Sequence, residues 1–106
     1  MKTIITSTGA KASSQFDLRF GRAAWFCLYD DETGESSFHE NCHVDDGHGA
    51  GQKAAELVVE LGATKIISGD FGPKAKDILD GLNIQLVIVD DENYTVKEII
   101  KRLGKK

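Results

Sequence analysis

Features that would indicate a secreted or membrane protein are missing from this 106-residue sequence. It contains only two cysteines, Cys27 and Cys42, whose contexts differ so much that a disulfide framework is not expected. No apolar run reaches the length that spans a bilayer, and residues 1–5 lack the apolar segment and cleavage site of a signal peptide. We therefore expect a reduced, cytoplasmic protein.

Acidic residues outnumber basic ones, so the chain has no excess of positive charge. The formal net charge is -4, whereas non-specific binding of nucleic acid needs a basic face. The hydrophobic fraction of 41% is ordinary for a globular domain. A chain of this length builds one hydrophobic core rather than two. The sequence predicts a single domain over residues 1–106 that does not bind nucleic acid.

The hydrophobic pattern changes its period in the middle of the chain. The first half contains β-branched and aromatic runs with a polar turn at residues 30–34, which is typical of a hairpin. From Ala50 onward, helical spacing alternates with short apolar runs, and this favours parallel strands joined by helical crossovers. The predicted strands lie at 2–7, 24–29, 35–40, 65–68 and 84–89, and the predicted helices at 50–61, 73–81 and 95–103. The pattern predicts an α/β fold with a five-stranded mixed sheet in the order β-β-β-α-β-α-β-α.

Strand direction places four connecting segments at one edge of this sheet. If strand 1 runs up, strand 2 returns, and strands 3, 4 and 5 run up again. The segments 8–23, 41–49, 69–72 and 90–94 then share the edge where four strands have their carboxyl ends. Ligands of open α/β sheets bind at such an edge, next to the point where the strand order reverses. We expect this point between strand 1 and strand 4.

The residues of these segments suggest the chemistry of a site. Cys42, His43 and His48 are thiolate and imidazole donors, which suit soft and borderline metals. Arg19 and Arg22 supply positive charge. Backbone N–H groups at two helix starts can bind an anion, and the glycines that we assign to the site are Gly49, Gly51, Gly69 and Gly72. Together these groups favour an anionic ligand that carries a metal.

Simpler interpretations exist for the same residues. Cys27 lies among aromatics in a predicted strand, where a free cysteine is usually a small core residue. Cys42 and His43 lack the paired spacing of a structural zinc site. The glycines can serve tight turns alone, and the two arginines can be surface residues. An anion- or nucleotide-binding regulatory module and a simple metal-binding interaction domain therefore remain alternatives.

Two segments of the sequence resemble a known family. DLRFGRAAWFCLYD at 17–30 and GAGQKAAELVVELGATKIISGDFGPKAKDIL at 49–79 are similar to the dinitrogenase iron–molybdenum cofactor biosynthesis family, which includes the carriers NifX and NafY and the C-terminal region of NifB proteins. The resemblance implies an RNase H-like fold. It also implies a non-catalytic carrier or scaffold that holds an iron–sulfur or molybdenum-containing metal–sulfur cluster and exchanges it with donor and acceptor proteins.

The 41–49 segment has fewer metal-binding side chains than a permanently held cluster needs. A permanently held iron–sulfur cluster normally has four cysteine ligands, whereas the 41–49 segment offers one cysteine and two histidines. Incomplete ligation predicts loose binding, which suits a carrier. Family carriers use histidine, and its assignment here to His43 or His48 is our hypothesis. A nuclease on the same fold is not expected, because strand 1 (KTIITS) has no carboxylate to hold a catalytic metal.

Overall fold

The computed structural model describes residues 1–41, 50–91 and 93–103. Five strands and three helices follow one another in the predicted order. The elements are β1 (Lys2–Ser7), β2 (Trp25–Asp30), β3 (Ser36–Glu40), α1 (Ala50–Glu60), β4 (Lys65–Ser68), α2 (Pro73–Gly81), β5 (Gln85–Ile88) and α3 (Val96–Leu103). The predicted bounds of β1 and β4 are confirmed, and the other strand bounds shift by one residue.

All five strands form one mixed sheet in the order β3-β2-β1-β4-β5. β2 is antiparallel to both β1 and β3, whereas β4 is parallel to β1 and β5 is parallel to β4. The sheet therefore changes from antiparallel to parallel pairing at β1, between β2 and β4. This confirms the predicted α/β class and the five-stranded mixed sheet, in which β1 and β4 are neighbours. The RNase H-like label stays an expectation from the resemblance.

The two faces of the sheet carry separate hydrophobic cores. Neighbouring residues of a strand point to opposite faces, and accordingly Ile4 and Ile5 of β1 enter different cores. The α1/α2 core includes Ile4, Phe20, Phe26, Ala54, Val58, Ile66, Phe71 and Leu79. The α3 core includes Ile5, Phe16, Cys27, Ile67, Val96 and Ile99. Helices therefore cover both faces, as the alternating pattern predicts.

Helix ends follow the signals in the sequence. The backbone N–H of Thr95 donates to Glu98 Oε1 at 3.0 Å, and the N–H of Glu98 donates back to Thr95 Oγ1 at 3.2 Å. This is the reciprocal capping box that opens α3. Gly62 follows α1 with φ of 78°, a left-handed conformation that favours glycine. Among the described residues, no helix has the length and apolar character needed to cross a bilayer.

Candidate functional site

The segment between β1 and β2 crosses the carboxyl edge of the sheet and is fixed to it by backbone hydrogen bonds. The N–H of Asp17 donates to the Thr6 carbonyl at 3.0 Å, and that of Phe20 donates to the Asp70 carbonyl at 2.9 Å. Arg19 and Asp70 form a parallel bridge. The sequence analysis assigns this segment no strand or helix, and in the structure isolated bridges at Gln15, Phe16 and Arg19 order its second half.

Buried hydroxyl groups hold this crossing in place. The Thr6 hydroxyl donates to the Asp17 carbonyl and lies 3.0 Å from Ser68 Oγ. Both Thr6 and Ser68 are fully buried, so each polar group needs a partner inside the protein. Within the described residues, every buried side-chain nitrogen and oxygen has one. The crossing segment is therefore a fixed wall of the site.

Gly69 allows the wall to approach β4 closely. A Cβ atom at this position would lie 2.8 Å from Leu18 Cβ and 2.9 Å from the Leu18 carbonyl oxygen. The N–H of Gly69 donates to that same carbonyl at 3.1 Å. The predicted role of Gly69 as a donor to a ligand thus competes with a hydrogen bond inside the protein, and the geometry favours close packing as its reason.

A cleft of about 420 Å³ opens beside this wall. We call it the carboxyl-edge cleft; it is lined by residues 19–22 of the crossing segment, Gly51 of α1, and residues 70–75 at the start of α2. Phe20, Phe71 and Ala75 are buried and form its apolar floor. The structure thus brings together four of the predicted site residues, Arg19, Arg22, Gly51 and Gly72, whereas Gly69 does not line the cleft.

Arg19 is held by a carboxylate that sequence reasoning did not assign to the site. Asp17 is 6% exposed, and its Oδ1 accepts the backbone N–H of Arg19 at 2.9 Å and its Nε–H at 3.3 Å. The Arg19 side chain is itself 68% exposed. One edge of the guanidinium is therefore paired and the remainder faces solvent at the cleft. Arg22 is also exposed and lines the same cleft.

The start of α2 presents backbone donors to the cleft. Gly72 has φ of 74° and no side-chain cap, and Pro73 occupies the first turn. The N–H of Gly72 donates to Asp70 Oδ1 at 3.1 Å. Pro73 has no N–H, and the N–H groups of Lys74 and Ala75 belong to the first turn of α2, where the helix itself supplies no acceptor. These groups and the positive end of the helix dipole favour an anion, while the Asp70 carboxylate lowers the positive potential at the rim.

Cys42, His43, His48 and Gly49 lie outside the described residues. The chain on either side of them is described. Asn41 is buried, and its Nδ2 donates to the carbonyls of Ala23 at 2.9 Å and Gly21 at 3.3 Å. Gly51 lines the cleft, as does Gly21. The described residues Asn41 and Gly51, which flank this segment, therefore lie next to the carboxyl-edge cleft and in its lining, respectively.

Cys27 is confirmed as a core residue. Its side chain is fully buried, and burial raises the pKa of the thiol to about 12. A neutral thiol is a poor metal ligand, because the thiolate is the form that binds. Over residues 1–41, 50–91 and 93–103, no group of three His, Cys, Asp or Glu side chains has an arrangement that could hold a metal ion.

These features define an α/β protein with a cleft at the carboxyl edge of a mixed sheet, lined by two arginines and the start of a helix. The family model for the dinitrogenase iron-molybdenum cofactor matches residues 1–106. The chain belongs to this family, as the resemblance in the sequence predicts.

Two solved structures are similar to this chain in sequence and share its fold. The apo form of the orange protein from Desulfovibrio gigas is 32% identical, with a TM-score of 0.89 over 96% of this chain and 85% of that one. A Thermotoga protein assigned to NifB and to the DUF35 family is 30% identical, with a TM-score of 0.82 over 96% and 85% of the two chains. The comparison with curated proteins gives no match.

Proposed function

We propose that this protein is a non-catalytic carrier that binds an anionic metal–sulfur cluster, of the iron–sulfur or molybdenum-containing type, in the carboxyl-edge cleft. One observation carries the proposal: Arg19, Arg22 and the first N–H groups of α2 line one cleft, next to the described residues that flank the segment with Cys42, His43 and His48. Family membership supports the class of ligand, since the family is that of the dinitrogenase iron-molybdenum cofactor.

The described lining fits the outer atoms of such a cluster. Sulfide and oxide atoms carry negative charge and accept hydrogen bonds, and the cleft offers guanidinium and backbone N–H donors. Its floor of Phe20, Phe71 and Ala75 is apolar, so a bound anion is partly removed from water, where charge-assisted hydrogen bonds are stronger. We propose Cys42, His43 and His48 as direct metal ligands, and Gly49, Gly51, Gly69 and Gly72 as the close-approach positions of the backbone.

We expect the cluster to be bound loosely, because few side chains would ligate its metal. Charge and hydrogen bonds would hold the outer atoms of the cluster, and at most three side chains would bind its metal. Such a cluster can leave without breaking four thiolate bonds. A protein of this kind takes its cargo from a donor protein and releases it to an acceptor protein, and both are the partners that we propose.

The test is anaerobic reconstitution with iron and sulfide, with molybdate in a parallel arm, followed by visible absorption and metal analysis. We expect stoichiometric colour in the wild type and its loss when Cys42, His43 and His48 are all changed to alanine. The double variant Arg19→Gln/Arg22→Gln should bind about tenfold more weakly, because two charge-assisted contacts are lost. Lys97→Gln/Lys101→Gln on α3 removes the same charge far from the cleft and should bind like the wild type.

The uncapped start of α2 favours a second candidate, an anion-binding module without metal. Such a module would bind a phosphate compound through Arg19, Arg22 and the N–H groups of Lys74 and Ala75. It would keep this affinity in the Cys42/His43/His48 triple-alanine variant. Phosphate binding in that variant, together with no cluster in the wild type under any condition, would replace the carrier proposal with this one.

A further inference from the structure

An apolar groove lies on the outer surface of the protein between α1 and α2. We call it the α1/α2 groove; its volume is about 330 Å³, and it is lined by residues of both helices, namely Ala55, Glu56, Val59, Glu60, Ile78 and Leu82. Val59 is 44% exposed and Leu82 is 50% exposed, whereas Ala55 is fully buried and forms the floor. The groove shares no lining residue with the carboxyl-edge cleft. It therefore offers a second, separate surface to a partner.

Backbone hydrogen bonds fix Leu82 at the rim of this groove. Its N–H donates to the Leu79 carbonyl at 3.1 Å, and the N–H of Asn83 donates to the Asp80 carbonyl at 3.2 Å. Asn83 has φ of 60°, the left-handed conformation that often ends a helix. The N–H of Ile84 also donates to the Leu79 carbonyl, and the Ile84 side chain is buried. The turn thus directs Ile84 into the core and leaves Leu82 outside on an ordered helix end.

The two helices run parallel, so the groove points back to the carboxyl-edge cleft. α1 joins β3 to β4 and α2 joins β4 to β5, and all three strands run in the direction of β1. A Cβ on Gly51 would lie 3.4 Å from Ala75 Cβ at the helix starts, where both residues line the cleft. The distance along α1 from Gly51 to Val59 is roughly 12 Å at the rise of an α-helix. A protein in the groove would therefore lie close to the cleft.

The charge around the groove is negative. Glu56 and Glu60 are exposed on its α1 side, and within the described chain neither has an ion pair. The last turns of α1 and α2 contain no basic residue, although cations are favoured at this end of a helix. The basic residues of both helices lie in their first halves, at Lys53, Lys74 and Lys76. Lys2, near the end of α1, lines a different cleft beside β2 and β3.

This charge argues against a second copy of the chain as the occupant. Two copies placed groove to groove would bring Glu56 and Glu60 of one copy against the same residues of the other, which is unfavourable. A contact between the groove of one copy and the basic residues of α3 of the next would be head-to-tail, and such contacts build open chains rather than closed dimers. A cationic partner with an apolar anchor fits the groove better.

We propose that the α1/α2 groove is a docking surface for a basic amphipathic helix of another protein. An aliphatic side chain of that helix would enter between Val59 and Leu82, as in other helix-in-groove complexes. Lysine or arginine residues beside it would face Glu56 and Glu60 and steer the association. The surface goes beyond the carrier function and stands without it, because it uses no residue of the cleft.

An amide NMR titration of the full chain tests the proposal. The probe is a synthetic amphipathic helix with leucines along one face and lysines on both sides of them. We expect saturable shifts of the amides of Glu56, Val59, Glu60, Ile78 and Leu82, and weaker binding as salt is added. The control peptide has the same composition with its leucines spread over all faces, and it should leave these amides unchanged.

Variants separate the apolar contact from the charge. Val59→Ala/Leu82→Ala should weaken binding of the probe about tenfold, because apolar surface is lost on both sides of the groove. Glu56→Gln/Glu60→Gln should weaken it about fivefold and make it less sensitive to salt. Glu35→Gln/Glu40→Gln removes the same charge beside β3 and should bind like the wild type. Circular dichroism confirms that each variant is folded.

Several results would overturn the proposal. These are groove amides that stay unchanged at every concentration of the probe, equal binding of both peptides, and equal affinity of the wild type and the two groove variants. Self-association of the wild type that Val59→Ala/Leu82→Ala abolishes would also overturn it, because the occupant would then be a second copy.

Discussion

The two faces of the sheet contribute differently to the candidate site. On the α1/α2 face, the centroid of the Phe20 ring lies 5.7 Å from that of Phe26 and 5.4 Å from that of Phe71, and Phe20 and Phe71 also line the carboxyl-edge cleft. The α3 face supplies no cleft residue among those described. The crossing segment inserts Phe20 into the first core and Phe16 into the second. The site is thus built on one core, while its wall is anchored in both.

The largest expected effect comes from removing the ring that links wall and floor. Phe20→Ala should lower the free energy of unfolding by about 4 kcal/mol, because a fully buried ring and two aromatic pairs are lost. Denaturant unfolding measures the loss, and anaerobic reconstitution measures binding. Phe20→Ala should also reduce binding in the folded fraction.

Phe16→Ala is the matched change on the other face. It should lower the free energy of unfolding by about 3 kcal/mol. Phe16 is as buried as Phe20, but it stacks on no aromatic ring among the described residues. Folded Phe16→Ala should lose less binding than folded Phe20→Ala, because Phe20 lines the cleft and Phe16 does not. Equal loss of binding in both variants would contradict the difference between the faces.

The next effect concerns the contact between wall and sheet. Gly69→Ala should cost about 2 kcal/mol, because its Cβ would overlap Leu18 and the wall must shift. Gly81→Ala is the control: nothing lies within 4 Å of its added Cβ, so we expect little change or a small gain. Thermal and denaturant unfolding compare the two. A neutral Gly69→Ala variant would show that the wall is not closely packed.

The dependence of stability on pH above pH 9 tests whether water reaches Cys27 in the α3 core. Burial raises the pKa of the Cys27 thiol in the folded protein to about 12, against an ordinary pKa of 9.0. Between these values only the unfolded chain loses this proton, so the free energy of unfolding falls by about 1.4 kcal/mol per pH unit. We expect Cys27→Ala to lose stability less steeply above pH 9 than the wild type. Parallel stability curves would mean that water reaches the thiol.

The smallest expected effect lies at the start of α3. Thr95→Ala removes the side-chain half of the capping box and should cost about 1 kcal/mol. Glu98→Gln keeps an oxygen acceptor for the Thr95 N–H and should cost much less. Neither change touches the cleft, so both variants should bind as the wild type does. Reduced binding would indicate coupling between the faces.

The sequence predicts the sheet better than it predicts the wall of the site. The order of strands and helices follows from features within a few residues of each element. These features are the apolar periodicity, Gly62, Pro73 and the Thr95–Glu98 capping box. Strand direction then follows from crossover handedness, which is why the carboxyl edge could be located from pattern alone.

The crossing segment could not be derived in this way. Phe16 and Phe20 stand among polar residues, so neither helical nor strand periodicity includes them. Their burial depends on contacts far along the chain, such as that between Leu18 and Gly69. Asp17 also gives no signal, since an aspartate in a polar stretch is normally exposed. The charge of Arg19 and Arg22 is enough to predict them as site residues. It does not predict that the Asp17 carboxylate holds Arg19.

The most direct test of the carrier proposal is amide NMR of the protein before and after anaerobic reconstitution. Gly51, Lys74 and Ala75 line the cleft, whereas Gly34 and Gly62 follow β2 and α1 away from it. We predict that the cleft amides shift or broaden while Gly34 and Gly62 stay unchanged. Unchanged cleft amides in a protein that has bound its cluster would contradict the account, because the cargo would then lie elsewhere.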